Sequence, residues 1–389
     1  MNTRLRDHLE DNNLLPTMQF GFRQHRSTED VTNIMTSYMV NNRDRKLKTV
    51  IVTKDIEKAF DRVWHTGMKY KLANNFNLPD LTVRLFCSFL DDRSCYIQFL
   101  GRKSSRFTPG AGDPQGSKLS PTFFIMYTAD IPRPIRPDSS LTLLYADDCT
   151  HMTRSYSANE AIRFMNTELA AVALWERKWR IKTNHDKTNV MIIGKKPRRG
   201  FDDVYLNDYD PEPRRGLEKL NEITVLGVNF DKQLFFHKHV GQQLAKAKLA
   251  FQLIKRFGSA SAPTKRHLYQ ALVRPHLAFA PLPLSLSAMT RRRDLQVVQN
   301  NALRWIWNTK WNDFVTNESL HETTKNVPAL NVLWSRQINR QFTKMRAWHE
   351  DWIEKLARFA RMGRYRIRGA RILSEFDYAA PIDPIYRYD

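Results

Sequence analysis

Cysteine is scarce in this chain. Cys87, Cys95 and Cys149 are the three in 389 residues, and no Cys or His is spaced as zinc ligands are, which speaks against a structural zinc and for a reducing compartment. Long apolar runs are missing as well: no stretch of about 18 apolar residues could cross a bilayer as a helix, and no lipidation signal offers another anchor. The opening Met1-Asn2-Thr3-Arg4-Leu5-Arg6 lacks the apolar core of a signal peptide, and no internal repeat occurs. Acid is in short supply too. Forty Asp and Glu stand against 62 Lys and Arg, a net charge of +22, and the pI is about 10.0. Such a surface calls for a polyanion, and with no membrane anchor that means nucleic acid. The imbalance is sharpest between residues 233 and 310, where thirteen basic residues meet one acid, Asp294. What is present suffices for a large core: 42% hydrophobic and 11% aromatic residues predict two to four folded subdomains.

Acid, where it does occur, is placed tellingly. Tyr145-Ala146-Asp147-Asp148 follows the apolar Leu141-Thr142-Leu143-Leu144 and precedes Cys149-Thr150-His151-Met152, a pattern of strand, tight turn and strand. Two adjacent carboxylates at its tip repel each other and favour a divalent cation, although aspartates in turns also cap their own backbone. A third carboxylate, Asp55, ends the strand-like run from Lys48 and precedes a helix-compatible stretch. With the two strands side by side, Asp55 and Asp147 would face one cavity and hold two Mg2+ ions about 4 Å apart, as in-line phosphoryl transfer requires. Alternation along the same strand turns Lys54 the other way, into core, where a charge costs several kcal/mol unless partnered. Asp113 and His151 raise the same question.

Candidate ligand contacts cluster around this point. Arg23 and Arg26 lie just before a helix whose start, Ser27 with Asp30, fits a capping box; they can receive a triphosphate, or be solvated loop arginines. Phe60, five residues past Asp55, can set its ring beside a sugar, or belong with Val63 and Trp64 to an apolar helix face. The run from Gly110 to Pro121, with Asp113-Pro114-Gln115-Gly116, lets backbone approach a ligand closely, Gln115 meeting a base or sugar edge, before a helix from about Thr122. Lys187, in Asn184-His185-Asp186-Lys187-Thr188, is a candidate proton donor or a solvated lysine. Further expectations are a hairpin around Ser94–Leu100 and Ser105–Thr108, a long amphipathic helix over 157–180, an exposed loop over 194–219 and a basic helical bundle over 233–310. Beyond lie Trp311, Trp334, Trp348 and Trp352, then the arginine-studded Arg358–Arg371.

The order of these motifs resembles the reverse transcriptases of non-LTR retrotransposons, most like the jockey group. The likeness is carried by QFGFRQHRST, DIEKAFDRVWH, DPQGSKLSP, YADD, VLGVNFDKQLFFHKHV, LYQALVRPHL and FVTNESLH, over roughly residues 10 to 330. It implies an α+β right-hand polymerase: partial fingers over 1–45, a palm over 46–232 with a fingers insertion at about 73–110, a thumb over 233–310, and a helical C-terminal region over 311–389. It also implies roles. Asp55 and Asp147 would bind the metals with Asp148 as a weaker third carboxylate, Phe60 would exclude the ribose 2′-OH, and Gln115 and Gly116 would shape the nucleotide pocket. Arg23 would touch the triphosphate, Lys187 would act as the acid, and Tyr145 with Leu226 and Gly227 would steady the primer end. The activity implied is RNA-directed DNA polymerisation with two Mg2+ or Mn2+ ions, an RNA template, a DNA primer or target, and dNTPs. A nuclear destination follows from the same likeness. Two rivals share these motifs: a nucleic-acid-binding retroelement remnant without chemistry, and an RNA-templated RNA polymerase.

Overall fold

The structure is a computed structural model and describes residues 1–346 except 92, 207–215, 310–312 and 325–326, together with 366–367 and 370–371. Trp311, Trp348, Trp352, most of the stretch after Arg358 and the acidic loop around Asp208–Pro213 lie outside the described residues. Apolar spacing becomes helix where caps and propensity agree. α1 (Asn2–Asp11) buries Leu5 and Leu9. α2 (Thr28–Asp44) begins where predicted: Asp30 Oδ2 accepts from the Ser27 amide at 2.7 Å and from its hydroxyl at 2.9 Å. β1 (Lys48–Ile56) follows, then α3 (His65–Asn74) and α4 (Asp80–Leu90). A short hairpin, β2 (Gln98–Phe99) with β3 (Arg102–Lys103), occupies the predicted position, and α5 runs from Ser120 to Tyr127 with Pro121 in its first turn.

The chemistry-bearing strands come next. β4 (Ser140–Tyr145) and β5 (Asp148–Ser155) form the predicted acidic hairpin, α6 (Ala158–Lys178) the long amphipathic helix, and β6 (Thr183–Ile193) the strand after it. With β7 (Lys219–Leu220) they make a five-stranded sheet in the order β4-β5-β1-β6-β7, antiparallel except at β6–β7. The acidic strand β1 is thus central. On one face of the sheet, Val50, Val52, Val190 and Ile192 bury against Ala161, Ile162, Met165 and Leu169 of α6. A second apolar cluster joins α1, α3, α4 and α5, with Phe86 and Phe89 edge-on to Phe123, and reaches Leu144, Cys149, Trp175 and Trp179.

Apart from most of α2, these elements belong to the first of two compact units, residues 1–31 with 45–223; the second holds 32–44 and the described residues from 224. The units follow a coarser division than the four expected regions. Thr32–Asp44, grouped by sequence with the N-terminal segment, packs with the second unit. In that unit β8 (Glu222–Val225) pairs with β9 (Val228–Asp231), followed by α7 (His237–Ile254), α8 (Ala262–Leu268), α9 (Arg274–Ala278), α10 (Pro281–Leu286) and α11 (Met289–Ile306). α12 (Asn317–Thr323) and α13 (Leu330–Arg346) complete it. Tyr269 is fully buried, its hydroxyl accepting from Gln299 at 3.1 Å, while Lys246, Lys248, Lys255, Arg256, Arg291 and Arg293 are exposed. Among the described residues no helix is long and apolar enough to cross a membrane.

Candidate active site

Tyr145 pairs with Asp148 across the β4–β5 ladder, so Ala146 and Asp147 alone make the turn. Ala146 takes φ +57, a left-handed conformation that a Cβ disfavours, and something must hold it there. The clamp is the segment Met18–Gly21, which lies parallel to β4: Phe20 N donates to Leu144 O at 2.7 Å and Leu144 N to Met18 O at 2.9 Å. Gln19, fully buried, uses its Oε1 twice, accepting from Ala146 N at 3.0 Å and Gly21 N at 2.8 Å. Its amide nitrogen reaches back to Ala146 O at 3.4 Å. Sequence reasoning passed over Gln19; the signal available was the glycine two residues on. A Cβ on Gly21 would sit 2.2 Å from Ala146 N and 2.9 Å from Tyr145 C. Gly21→Ala is therefore expected to cost about 1–3 kcal/mol in urea unfolding and to depress any activity of the turn beyond that loss of folded protein.

Asp55 reaches the same place from β1. The β1–β5 register ends at Lys54 opposite Cys149, which sets Asp55 across from Asp148. On its other side β1 pairs with β6, where the register jumps from Thr53–Asn189 to Asp55–Asn184 and leaves residues 185–188 bulged. Asn184 Oδ1 caps that bulge, accepting from the amides of Asp186 at 3.1 Å and Lys187 at 3.3 Å. The result delivers Lys187 Nζ to 3.1 Å from Asp55 Oδ2. Partial desolvation, then the negative charges of Asp147 and Asp55, push the Asp148 carboxyl up to about 6; desolvation and Asp55 raise Asp147 as well. Three acids against one lysine leave an excess of negative charge at the site. Among the described residues no three His, Cys, Asp or Glu gather tightly enough to clasp an ion. The chemistry of the donors, hard oxygens in excess and a lysine ammonium already drawn to one of them, nevertheless fits a divalent cation.

Behind the carboxylates the strand's other face is also charged. Lys54, whose side chain is 3% exposed, meets Glu176 of α6 at 2.7 Å, and the Thr183 hydroxyl donates to the same oxygen at 2.7 Å. His151 is held by Thr142 Oγ1 at 3.0 Å and Cys149 Sγ at 3.1 Å; burial and the nearby Lys54 push it down to about 3, so it is neutral.

On the nucleotide side, Phe60 is half-buried, its ring 6.1 Å from Phe22 and 4.9 Å from Phe124. Gln115 is exposed and donates to Asp61 at 3.0 Å, and Gly116 takes φ +84 with open space around it. Arg23 is placed differently from the expectation. Its side chain is 5% exposed and forks onto Glu10, with a further bond to Pro16 O at 2.8 Å. An acid one helix away captures the guanidinium, which takes it out of reach of a triphosphate as the chain stands. Tyr145 is half-buried at the end of β4. Leu226 (φ +47) and Gly227 (φ +82) make the β8–β9 turn in the second unit.

Asp113 anchors the Gly110–Pro121 loop by backbone, its amide donating to Phe60 O and that of Gly112 to Val63 O, both at 2.9 Å. Its carboxyl, in contrast, is buried with no hydrogen-bond partner among the described residues. Burial pushes it up to about 7, opposed by Arg93. A carboxyl raised on folding binds its proton more tightly in the native state, so the stability it contributes is complete below about pH 4 and drains away as pH rises through 7. Asp113→Asn is expected to remove this pH dependence, on the order of 4 kcal/mol when complete, so that thermal midpoints compared between pH 5 and 8.5 fall less for the variant.

Residues 1–230 match the protein family described as reverse transcriptase (RNA-dependent DNA polymerase). The chain is 29% identical over 356 residues to the probable RNA-directed DNA polymerase from transposon BS of Drosophila melanogaster, covering 89% of this chain and 38% of that protein. The RNA-directed DNA polymerase from mobile element jockey of the same fly is 28% identical over 307 residues, covering 76% and 32%. This chain spans about a third of the length of these curated relatives. Among solved structures, telomerase from Candida tropicalis with a fragment of telomeric RNA aligns at a TM-score of 0.45 and 13% identity, covering 96% of this chain and 56% of that one. A central antiparallel sheet carrying Asp55 and Asp147, backed by α6, is the palm of a right-hand polymerase. With the family match running through both acidic strands, the chain belongs to the reverse transcriptase family and is similar there to the polymerases of jockey-type, non-LTR transposons.

Proposed function

We propose that this chain is the polymerising part of a non-LTR retrotransposon protein, an RNA-directed DNA polymerase that extends a DNA primer on an RNA template. The observation that carries the reading is the electrostatic coupling of Asp55 on β1 with Asp147 and Asp148 of the β4–β5 hairpin, with Lys187 facing Asp55 at 3.1 Å. The family works with divalent metal ions; here two Mg2+ held by Asp55, Asp147 and Asp148 would, when bound, acidify and align the primer 3′-OH and neutralise charge on the departing pyrophosphate. Lys187 protonates the leaving pyrophosphate, a role suited to an ammonium beside the reacting phosphates. Gln115 and Gly116 border the nucleotide, Tyr145 the primer end, and Leu226 with Gly227 the primer strand. Arg23 serves this scheme as a support of the N-terminal segment. Exposed lysines and arginines of the second unit supply charge for a template–primer duplex.

Phe60 rejects the ribose 2′-OH by its bulk, and the two rings beside it fix its position. Phe60→Ala is expected to raise incorporation of ribonucleotides relative to deoxynucleotides by about tenfold or more in single-nucleotide extension; unchanged discrimination removes Phe60 from the pocket. The reading as a whole is tested by primer extension with the purified chain, Mg2+ and dNTPs on an RNA template. Full-length complementary DNA is expected. No product from folded protein that binds the template–primer overturns it.

A further inference from the structure

Outside the palm, one stretch of the first unit offers its whole length to solvent. Residues 94–108 are exposed without interruption, and large apolar side chains are among them. Ile97 is 65% exposed, Phe99 73% and Leu100 86%, with Tyr96 and Phe107 also open. The backbone is nonetheless ordered into a hairpin. Cys95 and Phe107 exchange both amide bonds at 2.8 and 2.9 Å, Ser104 N donates to Ile97 O at 2.9 Å, and Leu100 and Gly101 turn the tip with positive φ. An isolated two-stranded hairpin is marginal in water, and one that exposes its aromatic side chains gains nothing from them unless they meet a partner.

The charge says which partner. From Arg93 to Gly112 no acidic residue occurs, while Arg102, Lys103 and Arg106 all lie on the hairpin. Pairing of Phe99 with Arg102 puts an aromatic ring and a guanidinium on one face; on the other, Lys103 Nζ stands 4.9 Å from the Tyr96 ring centre. Exposed rings alternating with cations, and no anion among them, are what an unpaired polynucleotide requires: π-faces on which bases stack and positive charge along the phosphates. A protein partner of such a surface would have to bring its own acids, and a second copy of this hairpin would be repelled by it.

We propose that the hairpin of residues 95–107 is a stacking grip for a single-stranded nucleic acid that crosses its edge, one base lying on Phe99 and another on Tyr96 of the opposite face, with the phosphates against Arg102, Lys103 and Arg106. The inference does not depend on turnover. It concerns binding of either sugar type, and the test is run on the full chain without metal or dNTPs. Fluorescence anisotropy at physiological salt compares labelled oligo(U), labelled oligo(dT) and a blunt duplex of the same length. Tyr96→Ala/Phe99→Ala is expected to weaken both single strands about tenfold or more and to leave the duplex unchanged, since only unpaired bases can stack. Arg102→Gln/Lys103→Gln is expected to lower the salt slope for the single strands by about 1.4, two contacts at 0.7 each. Tyr96→Trp/Phe99→Trp, which keeps π-faces, should bind as the parent does. Equal affinity of the aromatic variant for the single strands overturns the proposal. So does an equal loss on duplex, or a change in sedimentation of the free protein with RNA binding intact, which would mark the surface as a self-association face.

Discussion

Asp147→Asn is expected to abolish primer extension, lowering the rate by about a thousandfold or more, while leaving the protein as stable as before or more so. The first half follows from the role: an amide cannot replace a carboxylate as a hard-cation ligand, and losing several kcal/mol of charge stabilisation at the reacting phosphate corresponds to three or more decades. The second half follows from the electrostatics of the free site. Asp147 and Asp148 are both raised by desolvation and by neighbouring carboxylates, so each destabilises the folded chain at neutral pH. Removing one charge relieves that repulsion. Measured together, extension and the urea midpoint should therefore move in opposite directions or not move together at all. A loss of activity accompanied by an equal loss of folded protein would mean that Asp147 is a structural turn residue.

Lys54→Met carries the largest expected effect on stability. It strands Glu176, whose side chain is only 10% exposed, with the Thr183 hydroxyl as its remaining partner. Breaking one side of a buried pair costs about 3–5 kcal/mol, whereas replacing both sides by apolar groups of similar volume is often neutral. Lys54→Met/Glu176→Leu should accordingly recover to within about 1 kcal/mol of the parent in urea unfolding, and the coupling between the two sites should account for most of the single-variant loss. A double variant as unstable as Lys54→Met would place the cost elsewhere, in packing around α6.

Much of the palm could be read from the chain because its signals are local. Alternation around Tyr145–Asp148, the run ending at Asp55 and the helical spacing after Ser157 each specify an element from a dozen residues, and each was found where expected. What escaped was settled by partners far away in sequence. Nothing near Lys54 announces Glu176, 122 positions on, and nothing near Ala146 announces that Gln19, 127 positions back, will hold its backbone. Arg23 misled for the same reason: its motif suggests a phosphate, but Glu10 on α1 reaches it first. The bulge that delivers Lys187 to Asp55 arises from two registers meeting on β6, which period-two patterning does not encode.

The central position of β1 bears on how the chain comes to be folded. The β4–β5 hairpin can form by itself, closing a two-residue turn, but the carboxylate of Asp55 joins it only when strands about a hundred positions apart zip together, and β1 has both its neighbours only once the chain has been made as far as Ile193. Long-range pairing of this kind is slow, because the entropy of closing the intervening loop is lost before any ladder bond is gained. During synthesis all three aspartates are made by Ser155, whereas Lys187, the cation that meets Asp55, is added only with β6, so a nascent chain shorter than β6 carries the acidic centre without its lysine.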